Sequence, residues 1–166
     1  LALKEVTPLN PWAAQTKPHV VVLLMESFGS YLLQFQSPQF DLLSGLKKHF
    51  DKEGALLHFY PSINSTIGSL SSLMINAPQR PSSAFLTESR SLSVPFSSAP
   101  ARIFKNKGYQ THFVYGGNPG WRDIGNFARR QGFEFVEGEI DIEKNLGKLN
   151  GHHDWGVFDE DLFSHI

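Results

Sequence analysis

No cysteine occurs among the 166 residues, which excludes disulfides, thiolate metal sites and cysteine nucleophiles. Long apolar runs are missing as well: no uninterrupted hydrophobic stretch approaches the roughly 20 residues that cross a bilayer. The start Leu1-Ala2-Leu3-Lys4-Glu5 lacks the basic end and apolar core of a signal peptide. Neither sign of charge is in excess. Lys and Arg number 15 against 16 Asp and Glu, interspersed along a chain of net charge -1. No chain-wide basic field therefore exists to hold a nucleic-acid backbone, and nucleic acid is not an expected partner.

What is present is core-forming material. A hydrophobic content of 40%, with 13% aromatic residues, suffices for one globular domain or a large piece of one. The absence of an initial methionine and a stop within an apparent helix, 159–166, lead to the expectation of a piece from a longer protein.

Residues 1–18 carry Pro8, Pro11 and Pro18 and read as an extended linker. The run His19-Val20-Val21-Val22-Leu23-Leu24-Met25 is β-branched and apolar without alternation, which predicts a central strand covered on both faces of a parallel sheet. Leu42, Leu43, Leu46 and His49-Phe50 recur at helical spacing before Gly54, and 55–60 resumes extended character. Ser65-Thr66 opens a helix whose apolar face is Ile67, Leu70, Leu73 and Met74, ended before Pro78. The Ser- and Pro-rich stretch 79–100 is expected as a surface loop. A helix over 101–107, closed by Gly108, precedes a strand at 109–115; a turn, a helix over 121–131 and a short strand at 133–136 follow. This alternation predicts an α/β fold with an open, mostly parallel sheet and helices on both faces.

In such sheets ligands collect at the carboxyl ends of the strands. Three places qualify. In Met25-Glu26-Ser27-Phe28-Gly29 a carboxylate follows the first strand, and Gly29 permits a tight exit. Glu26 is placed to ligate a hard cation, with helix capping or pairing to a surface Lys as the bland alternative. In Asn64-Ser65-Thr66-Ile67-Gly68-Ser69 hydroxyls cluster at a helix start, where backbone N–H groups and the dipole favour a phosphate or sulfate. A hydroxyl there is a nucleophile once a base or metal lowers its pKa; an ordinary N-cap is the alternative. In Tyr115-Gly116-Gly117-Asn118, followed by Trp121-Arg122, the guanidinium can grip an anionic head group while the indole packs on its organic part; a surface Arg and a core Trp around a turn are the alternative. His152-His153-Asp154, beside Gly151, reads as a flexible loop rather than a metal cluster, and Asp159-Glu160-Asp161 as dipole-stabilising acids at a helix start.

Taken in order, four segments resemble the sulfatase-like enzymes of the alkaline phosphatase superfamily, particularly the bacterial phosphoglycerol transferase and lipoteichoic acid synthase branch. They are 20–29, the Ser65-Thr66 helix start, Gly108-Tyr109 with 113–118, and Trp155-Gly156-Val157 with 159–163. The resemblance runs from about His19 to the end. It implies that 1–18 is a linker from a preceding membrane region and that 19–166 is the N-terminal part of a catalytic domain. By the same resemblance Glu26 is a metal-ligating carboxylate, and Thr66 both ligates the metal and forms a covalent intermediate. Trp121 and Arg122, with Asn118 in the same turn, fall where that branch grips a glycerol phosphate group, although the synthases have histidine at the position of Gly116 and one more residue between tryptophan and arginine. The implied cofactor is a divalent metal of the Mn2+ type, its site completed by an Asp-His pair, with a further substrate-side histidine, all beyond Ile166.

The implied function is phosphoglycerol transfer or phosphodiester cleavage on a glycerophospholipid of the cell envelope, in a protein of the bacterial cell membrane whose catalytic domain lies outside the cytoplasm. A sulfatase or phosphatase on the same scaffold is the near alternative. The Thr66 neighbourhood lacks the Cys/Ser-x-Pro-x-Arg motif of formylglycine sulfatases, which argues for phosphoryl transfer. A noncatalytic sensor or binding domain is the alternative of a different class. The chain by itself is expected to bind metal weakly and to be inactive.

Overall fold

The computed structural model describes residues 10–53 and 59–166 and divides into two compact units, Leu1–Phe59 and Tyr60–Ile166. Elements are numbered in chain order.

In the first unit the expected linker contains one helical turn, α1 (Pro11–Gln15). Its start follows from local chemistry: proline suits the first helical position, and the Asn10 carboxamide oxygen accepts from the Trp12 N–H at 3.0 Å. The expected central strand at 19–25 is not one here. Val20 to Met25 have no sheet partner among the described residues, and their exposure runs from 48% at Met25 to 78% at Val22. β-branched composition favours an extended backbone, but a strand also needs a ladder and a covering layer, and no described neighbour supplies either. A 3-10 turn, Ser30–Phe35, follows. Beyond it Gln36 organises the chain: its Oε1 accepts from the N–H groups of Leu42 and Leu43 at 2.7 and 2.9 Å, and its Nε2 donates to Asp41 at 2.6 Å. The predicted helix is present as a 3-10 turn, Ser44–Leu46, running into α2 (Lys47–Lys52), with Leu43 buried. Of the strand expected at 55–60, residues 55–58 lie outside the described residues, and Phe59 and Tyr60 are exposed and unladdered.

The second unit holds a well-packed core. Helix α3 (Thr66–Ile75) begins where predicted and ends on Asn76, whose left-handed backbone (φ 52°) lets its N–H cap the Ser72 and Leu73 carbonyls. Of the expected face, Ile67 and Met74 are buried and Leu70 packs against the core, but Leu73 does not belong to it. Ile67, Gly68, Ser71, Ser72, Met74 and Ile75 face inward, whereas Leu73 is 43% exposed. Small residues win that face because neighbours approach closely there, and the serine hydroxyls are satisfied internally: Ser71 donates to the Ile67 carbonyl at 2.8 Å, and Ser72 meets Ser62 at 2.9 Å.

The stretch 79–100 is not a plain surface loop. It forms 3-10 turns at Leu86–Glu88 and Arg90–Ser93 and packs Phe85, Leu86, Leu92 and Phe96 against Ile67, Met74, Ile75, Ile124, Phe127 and Ala128. Its Ser and Pro content masked four apolar residues, each able to contribute about 1.5–3 kcal/mol if fully buried.

Helix α4 (Pro100–Asn106) leads to β1 (His112–Val114), α5 (Ile124–Arg130) and β2 (Phe135–Glu137). The two strands pair in parallel, with His112 opposite Phe135 and Val114 opposite Glu137. Both are shorter than predicted, although the Tyr115 N–H still reaches the Glu137 carbonyl at 3.0 Å. The chain continues as α6 (Glu139–Leu146), an antiparallel hairpin β3 (His152–His153) and β4 (Gly156–Val157), and α7 (Asp159–His165). The expected flexible loop at 152–154 is thus a tight hairpin, in which His152 meets Glu139 at 3.0 Å and His153 accepts from the Trp155 N–H at 3.0 Å. Of the three acids opening α7, Asp161 is not a solvated dipole partner. It is buried and accepts from the Asn150 backbone and side chain and from the Gly151 N–H, and these hydrogen bonds, led by the Asn150 backbone N–H, hold its carboxyl below the ordinary aspartate value despite desolvation. A parallel βαβ unit flanked by helices is the observed part of an α/β fold, incomplete in extent.

Candidate functional site

Glu26 lies in the first unit, Thr66 and the 116–123 turn in the second, and each is described within its own unit. Glu26 occupies a turn, as expected, but the residue that makes the turn is Ser27, with φ of 59°, rather than Gly29, whose backbone is extended. The Gly29 N–H closes back onto the Ser27 carbonyl at 3.1 Å. A serine held at positive φ beside a carboxylate is local strain of the kind that concentrates at functional turns.

Thr66 is the first residue of α3, and Ser65 precedes it with an extended backbone and no capping bond from its own hydroxyl. The ordinary serine N-cap is therefore not what this helix start uses. The intrahelical ladder begins with the Ser69 N–H on the Ser65 carbonyl at 2.9 Å, while the Ser69 hydroxyl ties back to the Ile63 carbonyl at 3.1 Å. The N–H groups of the first turn precede that ladder and point along the positive end of the dipole.

The glycines after β1 do permit close backbone approach, and what approaches is the protein itself. A Cβ on Gly117 would lie 2.4 Å from the Trp155 carbonyl oxygen, and one on Gly156, at φ of 134°, would lie 2.1 Å from the Gly116 carbonyl oxygen. The hairpin and α6 dock here, with Val157 N–H on Gly116 O at 2.9 Å and Glu139 N–H on Gly117 O at 3.0 Å. The Asn118 carboxamide oxygen closes the next turn by accepting from the Gly120 N–H at 2.7 Å. Trp121 is half-buried against the core, its ring 6.4 Å from that of Tyr115.

Arg122 (φ 45°) and Asp123 (φ 60°) are consecutive left-handed residues without being glycine, each at a cost of about 1–2 kcal/mol. The conformation directs the Arg122 guanidinium over the Phe85 ring, 5.2 Å from its centroid, and 5.9 Å from the Trp121 ring, while Nη1 meets Glu88 Oε1 at 2.8 Å. Phe85 also packs on the first turn of α3, its Cε1 3.5 Å from where a Cβ on Gly68 would stand. Phe85 thus touches both the Arg122 guanidinium and α3 at Gly68. Phe85 and Glu88 were missed from sequence because they sit in the Ser- and Pro-rich stretch; the aromatic and acid flanking Leu86-Thr87 were the available signal.

A metal is a separate question of donors. A hard divalent cation takes six or more oxygen ligands, or four in a zinc-like site. Among the described residues there is no group of three or more His, Asp or Glu able to hold a metal ion.

This geometry is that of part of an α/β scaffold, with Phe85 packed between the first turn of α3 and Arg122. The sulfatase family model matches residues 18–166, and the chain belongs to that family. In fold it is similar to a solved protein of the alkaline phosphatase superfamily from Vibrio parahaemolyticus, at 24% identity and a TM-score of 0.57, over 66% of this chain and 25% of that one. The chain spans about a quarter of that protein's length.

Proposed function

We propose that this chain contributes the nucleophile and one anion grip of a phosphoglycerol transferase or phosphodiesterase acting on a glycerophospholipid of the bacterial cell envelope, with 1–18 as a linker and 19–166 as the N-terminal part of a catalytic domain facing outside the cytoplasm. The observation that carries the proposal is the stack of α3 start, Phe85 and Arg122. Phe85 touches the first turn of α3 at Gly68 and carries the Arg122 guanidinium on its face, and an arginine near the positive end of the helix that Thr66 opens supports binding of a phosphoryl group.

The Thr66 oxygen attacks phosphorus and gives up its proton, and the glycerolipid oxygen leaves and takes one up, giving a phosphoglycerol ester on Thr66 and a neutral glycerolipid alcohol. A second acceptor, sugar or water, then attacks phosphorus and releases Thr66. First-turn N–H groups take up charge on the equatorial oxygens, and Arg122 holds the phosphoglycerol, with Trp121 and Asn118 shaping its turn. Glu26 and Thr66 would hold a divalent ion of the Mn2+ type, which when bound neutralises phosphate charge and lowers the hydroxyl pKa. Threonine at position 66, in place of a formylglycine precursor motif, favours phosphoryl over sulfuryl transfer.

The test is Thr66→Ala in the full-length protein, read with a phosphatidylglycerol donor and by trapping of a phosphoglycerol adduct. Loss of turnover and adduct with an unchanged circular dichroism spectrum is expected. Retained turnover would remove Thr66 from this role, and a wild-type protein inert to phosphate and sulfate esters alike would favour a binding domain.

A further inference from the structure

Three arginines take no part in the site above. Arg102 on α4 and Arg129 and Arg130 in the last turn of α5 line one open cleft of about 690 Å³, together with Leu92, Ser93, Pro95 and Asn126, and no carboxylate lines it. Other cations nearby in the chain find acids: Lys105 on α4 meets Glu134, and Arg122, ahead of α5, meets Glu88. Among the described residues Arg102 and Arg130 form no ion pair, and Arg129 reaches only the Val136 carbonyl, at 3.4 Å. The neighbouring Asp123 is engaged by the Asn126 amide at 2.7 Å.

The negative end of the α5 dipole accounts for Arg129 and Arg130. It does not account for Arg102, which comes from another helix, or for an acid-free lining. The cleft is also built rather than incidental. Gln131, fully buried, accepts from the Phe96 N–H and donates to the Val94 carbonyl, both at 3.0 Å, and so fixes the Pro95 wall to the end of α5. Like charges gathered on fixed walls repel unless a counter-ion joins them, and a guanidinium fork matches phosphate and sulfate oxygens.

We propose that this cleft binds a small polyanion carrying two or more phosphate or sulfate groups, its carbon portion resting on Leu92 and Pro95. The proposal is independent of the role given to Thr66. It is tested by titrating the isotope-labelled 166-residue chain with tripolyphosphate and, separately, with a sulfated disaccharide, following amide resonances. Saturable shifts at Ser93, Arg102, Asn126 and 129–131 are expected with at least one probe, and the responding probe identifies the anion source. Arg102→Gln with Arg130→Gln keeps most of each stem and should weaken apparent affinity about tenfold, because charge-assisted hydrogen bonds are replaced by neutral ones. Arg122→Ala should leave it unchanged. Absence of saturation, shifts confined to 64–68 or Arg122, or unchanged affinity in a folded double variant would each overturn the proposal.

Discussion

Replacing Gly156 by alanine tests the packing that seats the β3–β4 hairpin on the turn after β1. Two costs add. A Cβ at φ of 134° is strained in any L residue, by about 1–3 kcal/mol. The same Cβ would stand 2.1 Å from the Gly116 oxygen and 2.6 Å from the Gly116 carbonyl carbon and the Gly117 Cα. All three are backbone atoms that no rotamer change can move aside, so overpacking adds about 1–3 kcal/mol. The sum, about 2–6 kcal/mol, is a large share of the 5–15 kcal/mol that typically stabilises a domain. Gly147→Ala supplies the control, because Gly147 also has positive φ, 72°, but nothing within 4 Å of its would-be Cβ. That variant should cost only the conformational term, about 1–2 kcal/mol. Urea unfolding followed by tryptophan fluorescence compares them, and Trp155 in the hairpin turn reports local release. If the two variants lose the same stability to within about 0.5 kcal/mol, the close approach at Gly156 has no energetic consequence and the packing described here is wrong.

Arg122→Ala in the full-length protein should raise KM for an anionic ester about tenfold or more with little change in fold, since one charge-assisted grip is lost; an unchanged KM would exclude Arg122 from binding. Asp161 gives a pH dependence of defined sign. Its folded pKa is depressed, so the unfolded chain takes up the proton first, and its stabilising effect is present above the unfolded value of about 3.9 and is lost as pH falls through the lower folded value. Urea midpoints should therefore fall more steeply below about pH 4 in wild type than in Asp161→Asn, and parallel curves would contradict this. The chain alone should bind Mn2+ weakly and without fixed stoichiometry in calorimetry, and tight 1:1 binding would contradict this expectation.

The second unit was largely legible from sequence, because its signals are local. Ser65-Thr66 ahead of a helical apolar pattern, Gly108 after α4 and the apolar strand around Phe113 each carry their own stop or start chemistry. What failed was whatever depends on partners distant in sequence. Val20 to Met25 have the composition of a central strand, but composition cannot provide the ladder on which a strand depends. Leu73 looked interior because periodicity counts apolar residues, whereas Ser71 and Ser72 are interior through close packing and hydroxyl pairing. In the candidate site Thr66 and Arg122 were readable as residue types at element ends; Phe85 and Glu88, which pack on and pair with Arg122, were hidden by the turn-rich composition around them.

The Arg122–Glu88 pair has a consequence for discrimination. Any anion that comes to this guanidinium meets one already engaged by a carboxylate at 2.8 Å. A ligand carboxylate would gain almost nothing by displacing its chemical equal. A phosphate, with more oxygens and greater charge, can take the free edge of the fork first and then compete for the rest. Under the role proposed for Arg122, Glu88 would act as an internal competitor, a filter that sets the minimum charge a ligand must bring. A neutral residue at position 88 would make the arginine a stronger but less selective grip.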